Sequence, residues 1–521
     1  MAQSICSVVL DVRPQSADLL RDRIRAMKVR LEGVEPKYDS FRKAVPSLHF
    51  MSLTVCDDPQ YDPVFVVEIN FDGAPGPFWG QLEAAMGADL REMLRYTKPP
   101  TTGAGALHAA ITEANSHSPV APLLEARTVK PAVFHQGNRG LDRLRIAREG
   151  ELFRALQVAA DAPALRTLSA VEVHAKLQTA LVGQFDWLKT PVPDRIGIME
   201  SLMDYGRFGL FGLSVVVCLL IPGAAGSVLF PTWVWPAGLV LAIVWCGLRL
   251  KQLDRDRPVG GVWSWLAGAG AIVAGACSVL QAFRVFAGGG AGTQVWPMQV
   301  WPTGVMWGSL LLTPIVLVLG GLVWLRGLER ADPFVEAPEL VAEKQRRMAE
   351  NEDHIVQNHM ISIVHVKPGI LRSVLMRLGL TGLGLLLRII ARNGYLATMR
   401  TIHFAHWAII SNGGRLMFHS NFDGSWESYL DDFIEKAHVG LTLAWTSGVG
   451  FPRTRFLIKD GAERGRLFKA WARHSMTESL FWFSAYRDLS VNQIERNARL
   501  ANGLRKTSLT PQEAVAWTRD L

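Results

Sequence analysis

Cysteine is scarce: five in 521 residues, Cys6, Cys56, Cys218, Cys246 and Cys277, with no CxxC pair and no regular spacing. That argues against a disulfide framework and a cysteine zinc site. The five read as small buried hydrophobes facing a reducing compartment, and no metal site is expected. The opening MAQSICSVVLDVRPQS has no basic start followed by a long apolar run, so no secretory signal is expected and the soluble regions should stay cytoplasmic. GxxxxGK[ST], strand–GxGxxG–helix, GxSxG and HExxH are all missing, and no nucleic-acid recognition motif accompanies the formal charge of +8. No nucleic-acid partner is therefore expected. Charge itself is missing from one region: residues 208–250 carry only Arg249.

Four apolar stretches occupy this region and its continuation, at about Phe208–Gly223, Phe230–Leu250, Val262–Phe286 and Thr303–Leu325. Each approaches or exceeds the length that crosses a hydrocarbon core of about 30 Å, where only a helix satisfies its own backbone. The sequence thus predicts four transmembrane helices and a lipid-bilayer partner. The connection between the second and third holds Lys251, Arg255 and Arg257, Arg195 and Arg207 precede the first, and Arg326 and Arg330 follow the fourth. Basic loops stay inside, which predicts a multi-pass protein of the cell (inner) membrane with both termini cytoplasmic. Trp233, Trp235, Trp296 and Trp301 surround the outer loops as an interfacial belt would. Arg284 is the only charge well inside a span, which argues against transport. Gly268, Gly270, Gly275, Gly320 and Gly321 would let helices pack closely, making a homo-oligomer through these helices an expectation.

The regions flanking the apolar block resemble each other. SVVLDVRP at Ser7–Pro14 matches ISIVHVKP at Ile361–Pro368; His49-Phe50 and His403-Phe404 each lie thirty-five residues after their proline. FVVEINFDG and LMFHSNFDG follow, and then FWGQLEAAMGADLREML and SWESYLDDFIEKA; GELFRAL and GRLFKAW correspond later. Ser411-Asn412-Gly413-Gly414 is a hairpin turn, and Phe456–Ile458 and Leu480–Tyr486 suggest further strands. The order per copy is that of a ferredoxin-like βαββαβ unit. In strand order and duplication the chain resembles the dimeric α+β barrel superfamily over about residues 4–160 and 358–500. That resemblance implies an α+β fold with two units pairing as an intramolecular barrel, and four transmembrane helices between them. The superfamily includes haem-dependent dye-decolourising peroxidases, chlorite-dismutase-like proteins, small monooxygenases and non-catalytic binders, so haem is one cofactor the resemblance allows. Of the peroxidase signature the chain shares only the Asp-Gly pair, at Asp72-Gly73 and Asp423-Gly424.

The organisation read from these signals is a first copy over 1–165, a linker over 166–204, a membrane block over 205–328, a charged linker helix over 329–357, a second copy over 358–505 and a tail over 506–521. Within the second copy, Ile370–Arg392 is apolar with Arg372, Arg377, Arg388 and Arg392 interspersed. It reads as a helix in the membrane interface, its arginines reaching lipid phosphates, or as a barrel helix. Strand alternation puts His403 and Trp407 on one face and His406 on the other, and puts His419, Asn421 and Asp423 together. His403, His419 and Asp423 are candidate catalytic residues, because imidazole serves as base or ligand and a carboxylate orients it. His406, Asn421, Arg453 and Arg455 are candidate cofactor-binding residues, the arginines suited to a carboxylate or phosphate. Asp followed by Gly after a strand is also an ordinary turn and helix cap. The expected function is binding of a small, lipophilic ligand at the cytoplasmic face; the alternative is a membrane-associated oxidoreductase, with haem or without cofactor, acting on a lipophilic substrate.

Overall fold

The structure, a computed structural model, describes residues 3–32, 35–101, 103–192, 195–229, 234–254, 301–333, 338, 340–391 and 399–521. The expected span Val262–Phe286, with Arg284 and its glycines, lies outside the described residues, as do Arg255, Arg257, Trp233 and Trp296. Before the apolar block the chain forms β1 (Gln3–Asp11), α1 (Ala17–Glu32), α2 (Glu35–Ala44), β2 (Leu48–Cys56), β3 (Val64–Asp72), α3 (Pro75–Leu94), α4 (Gly105–Thr112), α5 (Ala121–Ala126), β4 (Thr128–Val129), β5 (Val133–Gln136), α6 (Arg143–Ala160) and α7 (Ala170–Val182). The apolar helices are α8 (Ile198–Leu229), α9 (Val234–Asp254) and α10 (Trp301–Ala331). After them come α11 (Ala342–Ala349), β6 (Gln357–His365), α12 (Ile370–Ile390), β7 (Ile402–Ile410), β8 (Arg415–Asp423), α13 (Trp426–Trp445), β9 (Thr454–Arg455), β10 (Lys459–Asp460), α14 (Gly465–Ser475), β11 (Met476–Thr477), β12 (Phe481–Ser484), α15 (Val491–Leu504) and α16 (Pro511–Thr518).

Two five-stranded antiparallel sheets result, in the orders β12-β2-β3-β1-β4 and β11-β6-β8-β7-β5. Each sheet takes one edge strand from the far side of the apolar block. Phe481–Ser484 pairs with β2, from Phe481 opposite Leu53 to Ser484 opposite Phe50; Val133–Gln136 pairs with β7, from Val133 opposite Trp407 to Gln136 opposite Phe404. The two halves of the chain are therefore stitched together by backbone hydrogen bonds, not only by side-chain contact.

Alternation along the strands builds three layers of core. In β3, Phe65, Val67, Ile69 and Phe71 face outward onto α1–α3, with Leu20, Ile24, Phe78 and Leu82. In β8, Leu416, Phe418 and Phe422 face outward onto α12–α14, with Leu380, Tyr429 and Trp445. The inward faces meet each other through Val9, Val64, Val66, Ile361, Ala408 and Met417. Burying each such side chain fully contributes about 1.5–3 kcal/mol, so the alternation fixes which face of each strand is inward. A fourth cluster, with Leu156, Leu181, Leu500 and Trp517, joins α6, α7, α15 and α16.

Four described helices are long and apolar enough to cross a membrane: Ile198–Gly226, Trp235–Leu253, Trp307–Ala331 and Ile370–Ile390. Three match the expected spans, and Gly223 lets α8 approach α10, since a Cβ there would lie 2.7 Å from the Ser309 carbonyl oxygen. The fourth is the helix expected to lie in the interface. One flank of it, Met376, Leu380 and Leu387, packs into the core of the second sheet, while Ile370, Val374, Leu378 and Ile390 are exposed. Two of the arginines expected to reach lipid phosphates meet carboxylates instead: Arg372 contacts Asp332 at 2.5 Å, and Arg388 contacts Asp204 at 2.7 Å. Asp204 also holds Arg139 at 2.7 Å, and Asp332 holds Lys367 at 2.8 Å. These ion pairs tie the first turns of α8 and the end of α10 to α12 and to the segments that follow β5 and β6.

The hairpin turn predicted at Ser411–Gly414 is present, with positive φ at Ser411, Asn412 and Gly413. The strand predicted over Phe456–Ile458 is not. Phe456 and Leu457 have φ of 54° and 65° and form a turn, because their backbone N–H groups donate to the Glu329 carboxylate at 3.0 and 2.9 Å. The strand predicted within Leu480–Tyr486 is β12.

Candidate functional site: a buried histidine–carboxylate layer between the sheets

Near one end of the inter-sheet core the apolar residues give way to polar ones. Glu68 of β3 is completely buried there. Its Oε1 accepts from Asn70 Nδ2 at 2.6 Å and from Asn421 Nδ2 at 3.0 Å, and its Oε2 accepts from Ser52 Oγ at 3.1 Å. His359 Nε2 of β6 lies 3.3 Å from Oε2. Trp482 Nε1 donates to Asn421 Oδ1 at 2.8 Å, fixing that amide. Next to this group, His406 and His419 stand opposite each other on β7 and β8 and stack at 4.9 Å. His406 Nε2 bonds Ser7 Oγ at 2.8 Å, which ties β7 to β1. Burying a carboxylate uncompensated costs several kcal/mol, and here three donors and an imidazole compensate it.

The electrostatics follow from that burial. Burial pushes the Glu68 carboxyl up, but the close contact with His359 overcomes it and holds Glu68 well below the usual carboxylate range. Burial pushes His406 down to about 4 despite the attraction of Glu68, and it pushes His419 well below its ordinary value. The layer therefore holds imidazole nitrogens with free lone pairs beside an ionised carboxylate, which is the donor set of a general base or a metal ligand.

His403 and Asp423 are not in this layer. Alternation along β7 is interrupted by a bulge between Ile402 and Phe404, so His403 leaves the face expected of it, and the expected grouping of His403 with His419 and Asn421 does not form. His403 Nε2 instead meets Asp423 Oδ1 at 2.7 Å, and Asp423 Oδ2 accepts the Val491 N–H at 2.7 Å at the start of α15. The same arrangement recurs at the other end: a bulge between Leu48 and Phe50, His49 Nε2 at 3.0 Å from Asp72 Oδ1, and Asp72 Oδ2 accepting the Arg143 N–H at 2.7 Å at the start of α6. Both aspartates thus accept from a helix start and hold a histidine ring. Phe50 and Tyr486 lie at 5.2 and 5.9 Å from the His403 ring.

Arg453 and Arg455 lie away from both groups, at the short β9–β10 ribbon. Arg455 Nε meets Asp460 Oδ2 at 3.2 Å. Of the residues singled out in the sequence, His406, His419 and Asn421 are brought together; His403 with Asp423, and Arg453 with Arg455, stand apart. Glu68 and His359 were missed. The signal for Glu68 was a lone carboxylate in the apolar strand FVVEINF, a position that stays charged only with partners. Beside the layer a cavity of about 290 Å³ opens toward solvent, lined by Lys28, Tyr38, Gln357, His359, Trp482 and Arg487 among others. The His359 ring forms the wall between it and Glu68. Its Nδ1 bonds Ser479 Oγ at 2.6 Å, and its ring stacks on Trp482 at 6.2 Å.

Comparison with family models, with curated proteins and with solved structures finds no match to this chain.

Proposed function

We propose that this chain is a membrane-anchored binding protein. Its cytoplasmic body consists of two ferredoxin-like βαββαβ units paired as an intramolecular α+β barrel, and it takes a small ligand in the cavity walled by His359. The unit reading draws support from the order of each half's own strands, β2-β3-β1-β4 and β7-β8-β6-β11, and from the recurring bulge, His–Asp pair and helix start. Helical kinks at Met86 and Ala437, fourteen residues after Asp72 and Asp423, add to it. Cytoplasmic placement follows the basic residues around the apolar helices.

The observation that carries the binding reading is the cavity itself, open to solvent and ending on a buried imidazole. Its lining mixes Tyr38, Met348, Met476 and Trp482 with Lys28, Gln357 and Arg487, which suits an amphipathic molecule with a polar or anionic head better than a purely lipophilic one. Native mass spectrometry of detergent-purified protein tests this. A co-purifying small molecule, lost from Trp482→Ala and from Arg487→Ala, is expected. The reading fails if wild-type protein carries no such molecule and a library of amphipathic anions leaves its thermal midpoint unmoved, or if a retained molecule survives both substitutions.

A further inference from the structure

The inter-sheet layer contains more acceptor capacity than its hydrogen bonds use. Neither ring nitrogen of His419 has a hydrogen-bond partner among the described residues, and the ring is completely buried. His359 Nε2, on a side chain only 2% exposed, makes no hydrogen bond among the described residues and faces the Glu68 carboxylate at 3.3 Å. Buried polar atoms without partners are uncommon in folded proteins and call for an explanation. Here the two imidazoles converge on a carboxylate: one atom each from Glu68, His359 and His419 lie within 4.8 Å of one another.

We propose that Glu68, His359 and His419 bind one divalent first-row transition-metal ion, of the Zn²⁺ or Fe²⁺ class, in the core between the sheets. Two imidazoles and one carboxylate are the ligand set such ions favour over Ca²⁺ or Mg²⁺, which prefer all-oxygen shells. Metal–ligand bonds of about 2.0–2.2 Å bring ligand atoms closer together than the widest spacing here, so the site contracts slightly on binding. The surroundings are those of a supported site. Asn70, Asn421 and Ser52 orient the carboxylate and leave Oε2 able to face the ion, and Ser479 holds His359 Nδ1 so that Nε2 points inward. Ligands come from both sides of the apolar block, β3 before it and β6 and β8 after it, so the ion cross-links the two halves. Three protein ligands leave a coordination position for water or a further group, on a site whose His359 also walls the cavity. The inference does not require the cavity to bind anything.

The test is the metal content of full-length protein purified in detergent through a tag without histidine. About one ion per chain is expected, measured by inductively coupled plasma mass spectrometry. After chelator treatment, Co²⁺ should restore about one ion per chain, with the visible d–d bands of a nitrogen–oxygen site. Affinity should fall roughly tenfold or more in His419→Ala and Glu68→Gln. Ser479 is half-buried, so Ser479→Ala, which leaves the ligands in place, keeps the test open where a core variant misfolds; it should weaken Co²⁺ binding by roughly tenfold. The proposal is overturned if wild-type protein is metal-free as purified and shows no bands with Co²⁺. It is overturned equally if bound metal is unchanged in folded His419→Ala, Glu68→Gln and Ser479→Ala.

Discussion

Replacing Glu68 with glutamine, in chelator-treated protein, asks whether the inter-sheet layer depends on a charge. Glutamine keeps the volume but turns one oxygen into a donor. Asn70 and Asn421 both donate to Oε1, so an NH₂ group there would face two other NH₂ groups. It must instead point toward Ser52 and His359, whose Oγ and Nε2 can accept. The two amide bonds survive but become neutral. Hydrogen bonds to a charged group contribute about 1.5–3 kcal/mol and neutral ones about 0.5–1.5 kcal/mol, so roughly 1 kcal/mol is lost per bond. Neutralisation also removes the desolvation cost of a buried charge. The direction of the Glu68 shift decides the sign: the surroundings favour the carboxylate over its protonated form, so losing the charge is a net loss. The expected destabilisation is about 2 kcal/mol, roughly a thirtyfold rise in local opening. Hydrogen–deuterium exchange of peptides covering β3 and β8 reads it directly. Combining Glu68→Gln with Asn421→Ala should give effects that fail to add by about 1 kcal/mol. Unchanged or increased protection in Glu68→Gln, or additivity within about 0.3 kcal/mol, would refute this reasoning.

Other substitutions probe the packing around the two sheets. Burial pushes His135 down to about 3, whereas in the unfolded chain it titrates near 6.5. The folded protein therefore keeps it neutral while the unfolded chain takes up a proton, so stability is level above about pH 6.5 and falls below it, by about 2 kcal/mol at pH 5. His135→Leu should remove that part of the acid-side loss in thermal midpoint, and an unchanged pH slope would count against the assignment. A Cβ at Gly137 would sit 2.0 Å from the Ile402 carbonyl oxygen, so Gly137→Ala should displace β5 from β7 and destabilise by at least about 1–3 kcal/mol, seen as protease cleavage between residues 133 and 136. Asp423→Ala strips both the His403 ring and the Val491 N–H of their acceptor and should cost about 3–5 kcal/mol; Asp423→Asn, which retains one acceptor, should cost less than half of that by thermal denaturation.

Much of the frame was legible in the sequence because it rests on repetition. Three apolar helices, the long strands and the Ser411–Gly414 turn follow from hydropathy, from alternation and from the tolerance of Asn-Gly for positive φ, whereas the strand expected over Phe456–Ile458 is a turn. What could not be read was pairing across the chain. Nothing local in Phe481–Ser484 or Val133–Gln136 says that each completes the other half's sheet. Hydropathy also could not divide α12 between its two faces: Leu380 and Leu387 enter a core while Ile370 and Val374 stay exposed, and its arginines find Asp332 and Asp204 far away in sequence. The site was half legible for the same reason. His406, His419 and Asn421 sit on regular strand, where alternation holds, whereas His403 sits on a bulge, where it does not. Glu68 and His359 meet only because the two sheets face each other.

That meeting of the two halves is tested most directly by a disulfide across the exchanged strand. His135 and Ala405 are direct partners on β5 and β7, and Cα atoms of paired antiparallel residues lie about 4.5–5.5 Å apart, within reach of a disulfide. In a background with the native cysteines replaced, His135→Cys with Ala405→Cys should form an intrachain disulfide nearly completely under mild oxidation, seen as one linked peptide pair by mass spectrometry. Two thiols that stay reduced in folded, detergent-purified protein would contradict the account.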